Sequence, residues 1–186
     1  VIRIGRGRLL LCSALCALLC CGIVAAAPAD DLYQPDAIKA AFLYRFTGYV
    51  DWPPQSLNGS AFTIAVLDAD AVAARLARIV AAHPIKDRPA NVISVHRAGE
   101  AAAAQMLYIG SSYPGNLRAA VRAVGARPIL VVTDREGALD QGSVVNFLVV
   151  DRHVRFEVSL PAAARAGLKI EPALLSVAVD VRGAPH

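Results

Sequence analysis

The chain has 186 residues, 19 basic and 15 acidic side chains, and four cysteines. That length suits a single domain of ordinary size. The basic excess is not spread evenly: Arg3, Arg6 and Arg8 fall in the first 29 residues, which hold no acid, so the remainder carries 16 basic against 15 acidic groups (19 less three), too balanced for the basic stripe that nucleic-acid binding requires.

The N-terminal segment opens with those arginines and continues as an apolar run from Leu9 to Leu19, followed by Ala25-Ala26-Ala27-Pro28-Ala29. A basic start, a short apolar stretch and small residues at a cleavage site read as a secretory signal peptide over 1–29. The run is too short to span a membrane comfortably, which takes about 20 residues. All four cysteines (Cys12, Cys16, Cys20, Cys21) lie inside the signal segment 1–29. The exported part, 30–186, is therefore expected to fold as one domain without disulfides.

The first helix is expected to start at Pro35-Asp36, with proline and an acid at positions that suit a helix N-terminus. Ile38, Phe42, Phe46 and Tyr49 recur at helical spacing, and Pro53-Pro54 ends the element because residues before proline avoid the α region. That stripe is expected to face the core. Tyr44, Asp51 and Trp52 lie off or beside it and are the expected partner-contact residues, since exposed aromatics anchor interfaces.

Strands are then expected over Phe62–Leu67, Asn91–His96, Met106–Ile109 and Ile129–Thr133, short and apolar. Between them come a helix carrying Val72, Leu76, Ile79 and Val80, with Asp70 as a possible cap, an alanine-rich helix from Gly99, and an amphipathic helix from Asn116 to Val124. This alternation predicts a parallel sheet with helices on both faces. Ser143–Val149 and His153–Ser159 are separated at hairpin spacing around Asp151-Arg152. Val154, Phe156 and Val158 alternate with His153, Arg155 and Glu157, so one face of the hairpin is expected to meet water and to offer those three polar residues to a partner. A short helix follows from Pro161 to Ala166, and the apolar tail over Leu174–Val181 fits a helix or a last strand. The expected fold is a single three-layer α/β domain with a mixed, mostly parallel sheet and a C-terminal antiparallel hairpin.

Catalytic signals are sparse. Gly110-Ser111-Ser112-Tyr113-Pro114-Gly115 lies between a strand and a helix but matches neither a nucleophile elbow nor a phosphate-binding glycine pattern, and reads as a serine N-cap. His83, His96, His153 and His186 do not pair at metal-ligand spacing, so no metal and no cofactor is expected. Thr133, Asp134 and Arg135 end a parallel strand, where open α/β sheets bind ligands. They are the expected residues of a small-ligand site, with a polar turn as the alternative.

Several segments together resemble the YfiR family: Lys39 to Pro53, Phe62 to Leu67, Met106 to Ser111, Leu130 to Asp134, Gly142 to Phe147, and Val154 to Ser159 with Ala163 to Leu168 after it. The resemblance implies a periplasmic, non-enzymatic α/β domain that forms a homodimer. It further implies binding to the periplasmic part of an inner-membrane diguanylate cyclase, which holds the cyclase inactive and keeps cyclic-di-GMP low, and an outer-membrane lipoprotein that sequesters the repressor. The chain departs from the family at three places. It has no cysteine beyond the signal, Glu171-Pro172-Ala173 replaces a Ser-Ser-Lys stretch, and Arg45 stands where many members have asparagine, a change of charge beside the aromatic helix that makes Arg45 a further expected partner-contact residue.

Overall fold

The computed structural model describes residues 34–184. The signal segment read in 1–29 lies outside these residues, as do the four cysteines.

Helix α1 spans Pro35–Tyr49 and buries Ala40, Leu43, Phe46 and Thr47. Its core face is turned relative to the expected stripe. Phe46 is fully buried and Phe42 half-buried, but Ile38 is 37% and Tyr49 36% exposed. Leu43 and Ala40 lie between the aromatics and draw the buried face toward themselves. The helix also ends earlier than Pro53 requires. Val50–Asp51 forms β1, which pairs antiparallel with β8 (Lys169–Ile170). Glu171 N–H donates to the Tyr49 carbonyl at 2.9 Å, so a distant segment satisfies a group that the helix end leaves open.

Seven strands form the main sheet: β2 (Phe62–Leu67), β3 (Ala90–Val95), β4 (Met106–Ile109), β5 (Leu130–Thr133), β6 (Val145–Val150), β7 (His153–Ser159) and β9 (Asp180–Arg182), in the order β3-β2-β4-β5-β6-β7-β9. Only the β6–β7 pair is antiparallel. Side chains on β2, β4 and β5 alternate between two cores. Phe62, Ile64, Val66, Met106, Tyr108, Leu130 and Val132 face α1 and α2 (Asp70–Ala82), with α4 (Leu160–Arg165) and α5 (Pro172–Leu175) on the same side. Ala65, Leu67, Leu107, Ile109 and Val131 face α3 (Leu117–Val124) and a 3-10 segment, Ala98–Ala103. Burial on both faces accounts for the nearly unbroken apolar strands, and the expected three-layer α/β architecture is what the chain adopts.

Three local expectations are corrected. The alanine-rich segment after Gly99 is 3-10 rather than α. Ala69, not Asp70, holds the cap position of α2, and Asp70 lies in the first turn, where a carboxylate favours the helix macrodipole. The tail divides into a helix and a strand, α5 and β9, instead of forming one element.

The β6–β7 hairpin faces α1 with Val145, Phe147, Val154, Phe156 and Val158. Phe46 meets Phe147 at 5.7 Å and Phe156 at 5.1 Å between ring centroids. Such pairs add roughly 0.5–1.5 kcal/mol beyond their buried area. The opposite face carries His153 and Arg155, both exposed, and half-buried Glu157.

Candidate functional site

Strand β2 has β3 on one side and β4 on the other, although β3 precedes β4 in the chain. The connections leaving β2 and β3 therefore run in opposite directions. Open α/β sheets hold ligands at such a switch point, outside the carboxyl ends of the strands. A cavity of about 420 Å³ lies there, lined by Asp68 to Val72 after β2, Gly110 to Ser112 after β4, Asp134 after β5, and Asp36 and Lys39 from α1.

Two loops make its floor by close approach. Gly110 N–H donates to the Leu67 carbonyl at 2.9 Å and Ser112 Oγ donates to the Asp68 carbonyl at 2.6 Å. A Cβ at Gly110 would sit 2.4 Å from the Asp68 oxygen, so only glycine fits. Lys39 Nζ meets Asp134 Oδ2 at 2.5 Å, with 12% and 15% of the two side chains exposed. Tyr108 is buried beside this pair. Burial first, and then the Asp134 charge, push its hydroxyl well above the usual tyrosine range, so it stays a neutral donor. Four carboxylates, Asp36, Asp68, Asp70 and Asp134, line the cavity against the single ammonium of Lys39. A free anion is repelled there.

The structure brings only one of the three expected ligand residues to this cavity. Asp134 lines it, but Thr133 is fully buried, with its Oγ1 2.9 Å from Ser143 Oγ and 2.8 Å from Asn146 Oδ1. Arg135 points its guanidinium at the carbonyls of Tyr113 (2.6 Å) and Gly115 (3.3 Å), and its N–H donates to Asn146 Oδ1. Both are committed to the framework that holds the Gly110–Gly115 loop. Asp36, Lys39, Asp68, Asp70 and Tyr108 had no signal in the sequence, because strand order decides that they meet. Ser111 and Ser112 do not cap α3: Asn116 Oδ1 accepts from Ala119 N–H at 2.9 Å. Among the described residues no group of histidine, cysteine or acid side chains is arranged to hold a metal.

The expected partner-contact residues fall into two sets on opposite faces of the sheet. On the α1 side, Arg45 is exposed and Tyr44 is half-buried beside the His83 ring, 5.9 Å away. Asp51 is exposed, with Lys86 Nζ at 3.8 Å. Trp52 is corrected: it is 6% exposed, packs edge-on against Phe62 at 5.1 Å, and donates from Nε1 to the Gln105 carbonyl at 3.0 Å. A tryptophan whose N–H finds a carbonyl at the start of β4 gains more from burial than from a surface position. Tyr49, expected in the core, takes its place as the exposed aromatic. On the far side, His153 and Arg155 are open, while Glu157 Oε1 accepts from Asn146 Nδ2 at 2.9 Å.

A family model described as YfiR/HmsC-like matches residues 36–179. No curated protein matches the chain. Among solved structures, a conserved domain protein from Vibrio cholerae O1 biovar El Tor is similar at a TM-score of 0.53 and 10% identity. The likeness covers 80% of this chain and 60% of that one, so the chain spans about 60% of that protein's length. At such identity the likeness bears on the fold alone.

Proposed function

The chain belongs to the YfiR/HmsC-like family, whose members regulate cyclic-di-GMP signalling from the periplasm, and from that premise we propose that it represses an inner-membrane diguanylate cyclase by binding the cyclase's periplasmic domain. The observation that carries this reading is the extent of the family match, from the first turn of α1 to the residue before β9. In this reading residues 1–29 direct export and are cleaved, the protein acts as a homodimer without catalytic chemistry, and an outer-membrane lipoprotein removes it from the cyclase. Repression is a shift of population. The protein prefers the inactive cyclase conformation, and by that difference in affinity alone it lowers the active fraction. Arg45, Tyr49 and Asp51 on one face, or His153 and Arg155 on the other, supply accessible contact groups. Deleting the gene is expected to raise cellular cyclic-di-GMP and surface attachment, with both restored by the full chain but not by one lacking residues 1–29. An unchanged nucleotide level in the deletion strain would end this reading.

A second reading has its own observation, the cavity at the switch point of the sheet. It makes the domain a sensor for a small cationic or hydrogen-bond-donating solute. A thermal-shift screen of amines and amino acids tests it, since a ligand that binds only the native state raises the melting temperature. Equal shifts for the wild type and Asp70→Asn would count against the cavity.

A further inference from the structure

Strand β9 is the last strand of the main sheet and pairs only with β7. Its other edge has no strand beside it among the described residues. The parallel register sets Val181 beside Val158, a core residue on the α1 side, so Val181 and Val179 stand on that side and Asp180 and Arg182 on the other. Val179 is 51% exposed and Val177, two residues earlier, 63%. The strand ends at Gly183, with φ 80°. A strand edge with no strand beside it among the described residues, flanked by exposed valines, is a surface on which another strand can add.

The charges on this edge select what can add to it. Asp180 and Arg182 lie two residues apart on one face. If a second copy approaches antiparallel about Val181, Val181 meets Val181 of the second copy, and Asp180 of each chain stands opposite Arg182 of the other. Directly opposed residues in an antiparallel pair are about 4.5–5.5 Å apart at Cα, within reach of a charge pair. The three-residue strand is thus complementary to itself, as a two-fold interface requires. A strand of another pattern would set like charges or an unmatched charge against it. Within one chain Arg182 is held extended by Asp140 and lies 3.9 Å from Asp180 Oδ2. Asp180 keeps 57% and Arg182 38% of its side chain exposed, so both remain open to a second partner.

We propose that β9 is the seam of a homodimer, in which two copies join their sheets antiparallel about Val181 with Asp180 of each opposite Arg182 of the other. This deepens the dimeric state in the regulatory reading by giving it a surface and a register, and it does not depend on the cyclase.

Sedimentation velocity of the purified protein tests it without any partner. The wild type is expected to sediment as a dimer at micromolar concentration. Asp180→Arg opposes two arginines to two arginines, and Arg182→Asp opposes two aspartates to two aspartates. Each alone is expected to dissociate at least about tenfold more readily, since two pairs turn from attraction to repulsion. An equimolar mixture of the two variants places arginine opposite aspartate at every position and is expected to recover the dimer. Recovery also shows that both variants fold. A monomeric wild type would overturn the proposal. So would single variants that dimerise like the wild type, or a mixture that stays monomeric.

Discussion

Tyr108 is a residue whose environment forces one protonation state. Its ring lies in the core facing Phe147 at 6.1 Å, and its hydroxyl lies near the Asp134 carboxylate. Ionisation there would bury a phenolate beside an existing negative charge, so the folded value is raised above the usual 10. The unfolded chain loses this proton first. Above pH 10 the native state therefore holds more protons than the unfolded one, and stability falls as pH rises. Below pH 10 the contribution is fully present. Urea denaturation between pH 8 and about 11 is expected to show the decline. Tyr108→Phe should flatten it, because the variant has no phenol to titrate at that buried position; an equally steep decline in the variant would refute the assignment. Lys39 and Asp134, the pair beside this hydroxyl, are 95 positions apart. The sequence marks Asp134 as a strand-end residue but gives no sign of Lys39 as its partner, because the ion pair exists only once β5 and α1 are neighbours.

Among the elements, the β6–β7 hairpin was the most legible. The alternation of Val154, Phe156 and Val158 with polar neighbours marks a half-buried strand, and β7 spans His153–Ser159 as expected. The phase of α1 was not legible, because apolar residues on more than one side of the helix allow more than one core face. Its end was hidden too, since β8, more than a hundred residues later, supplies the pairing that unwinds Val50–Asp51. The hairpin turn carries a cost that its sequence discloses. Asp151 and Arg152 both take positive φ, 50° and 60°, the geometry of a type I′ turn, which favours asparagine followed by glycine. A non-glycine residue in this region costs roughly 1–2 kcal/mol, less for aspartate. Arg152→Gly, combined with Asp151→Asn, is expected to raise unfolding stability by about 0.5–1 kcal/mol, the relief at the turn exceeding the added freedom of the unfolded chain. Chemical denaturation with an unchanged m-value checks this, and a loss of stability would show that the tip is held by its side chains.

At the scale of the whole molecule, the class of fold was legible and the order of the strands was not. Alternating apolar strands and helices imply a layered α/β domain, whereas the placement of β3 on the far side of β2 depends on which crossover packs, and it is this placement that creates the switch-point cavity. The opposite end of the sheet is fastened by Gln105. Its side-chain Oε1 accepts from Thr63 N–H at 2.7 Å, its Nε2 donates to the Ser56 carbonyl at 2.9 Å, and its own carbonyl accepts from both Leu130 N–H and Trp52 Nε1. Trp52 is the chain's one tryptophan. It follows that a single intrinsic chromophore, sealed at the amino-terminal ends of the strands and distant from the acidic cleft, carries the protein's indole emission. Its spectrum reports the opening of that fastening and stays silent when something occupies the other end, so an optical signal separates loss of structure from occupancy without any added dye.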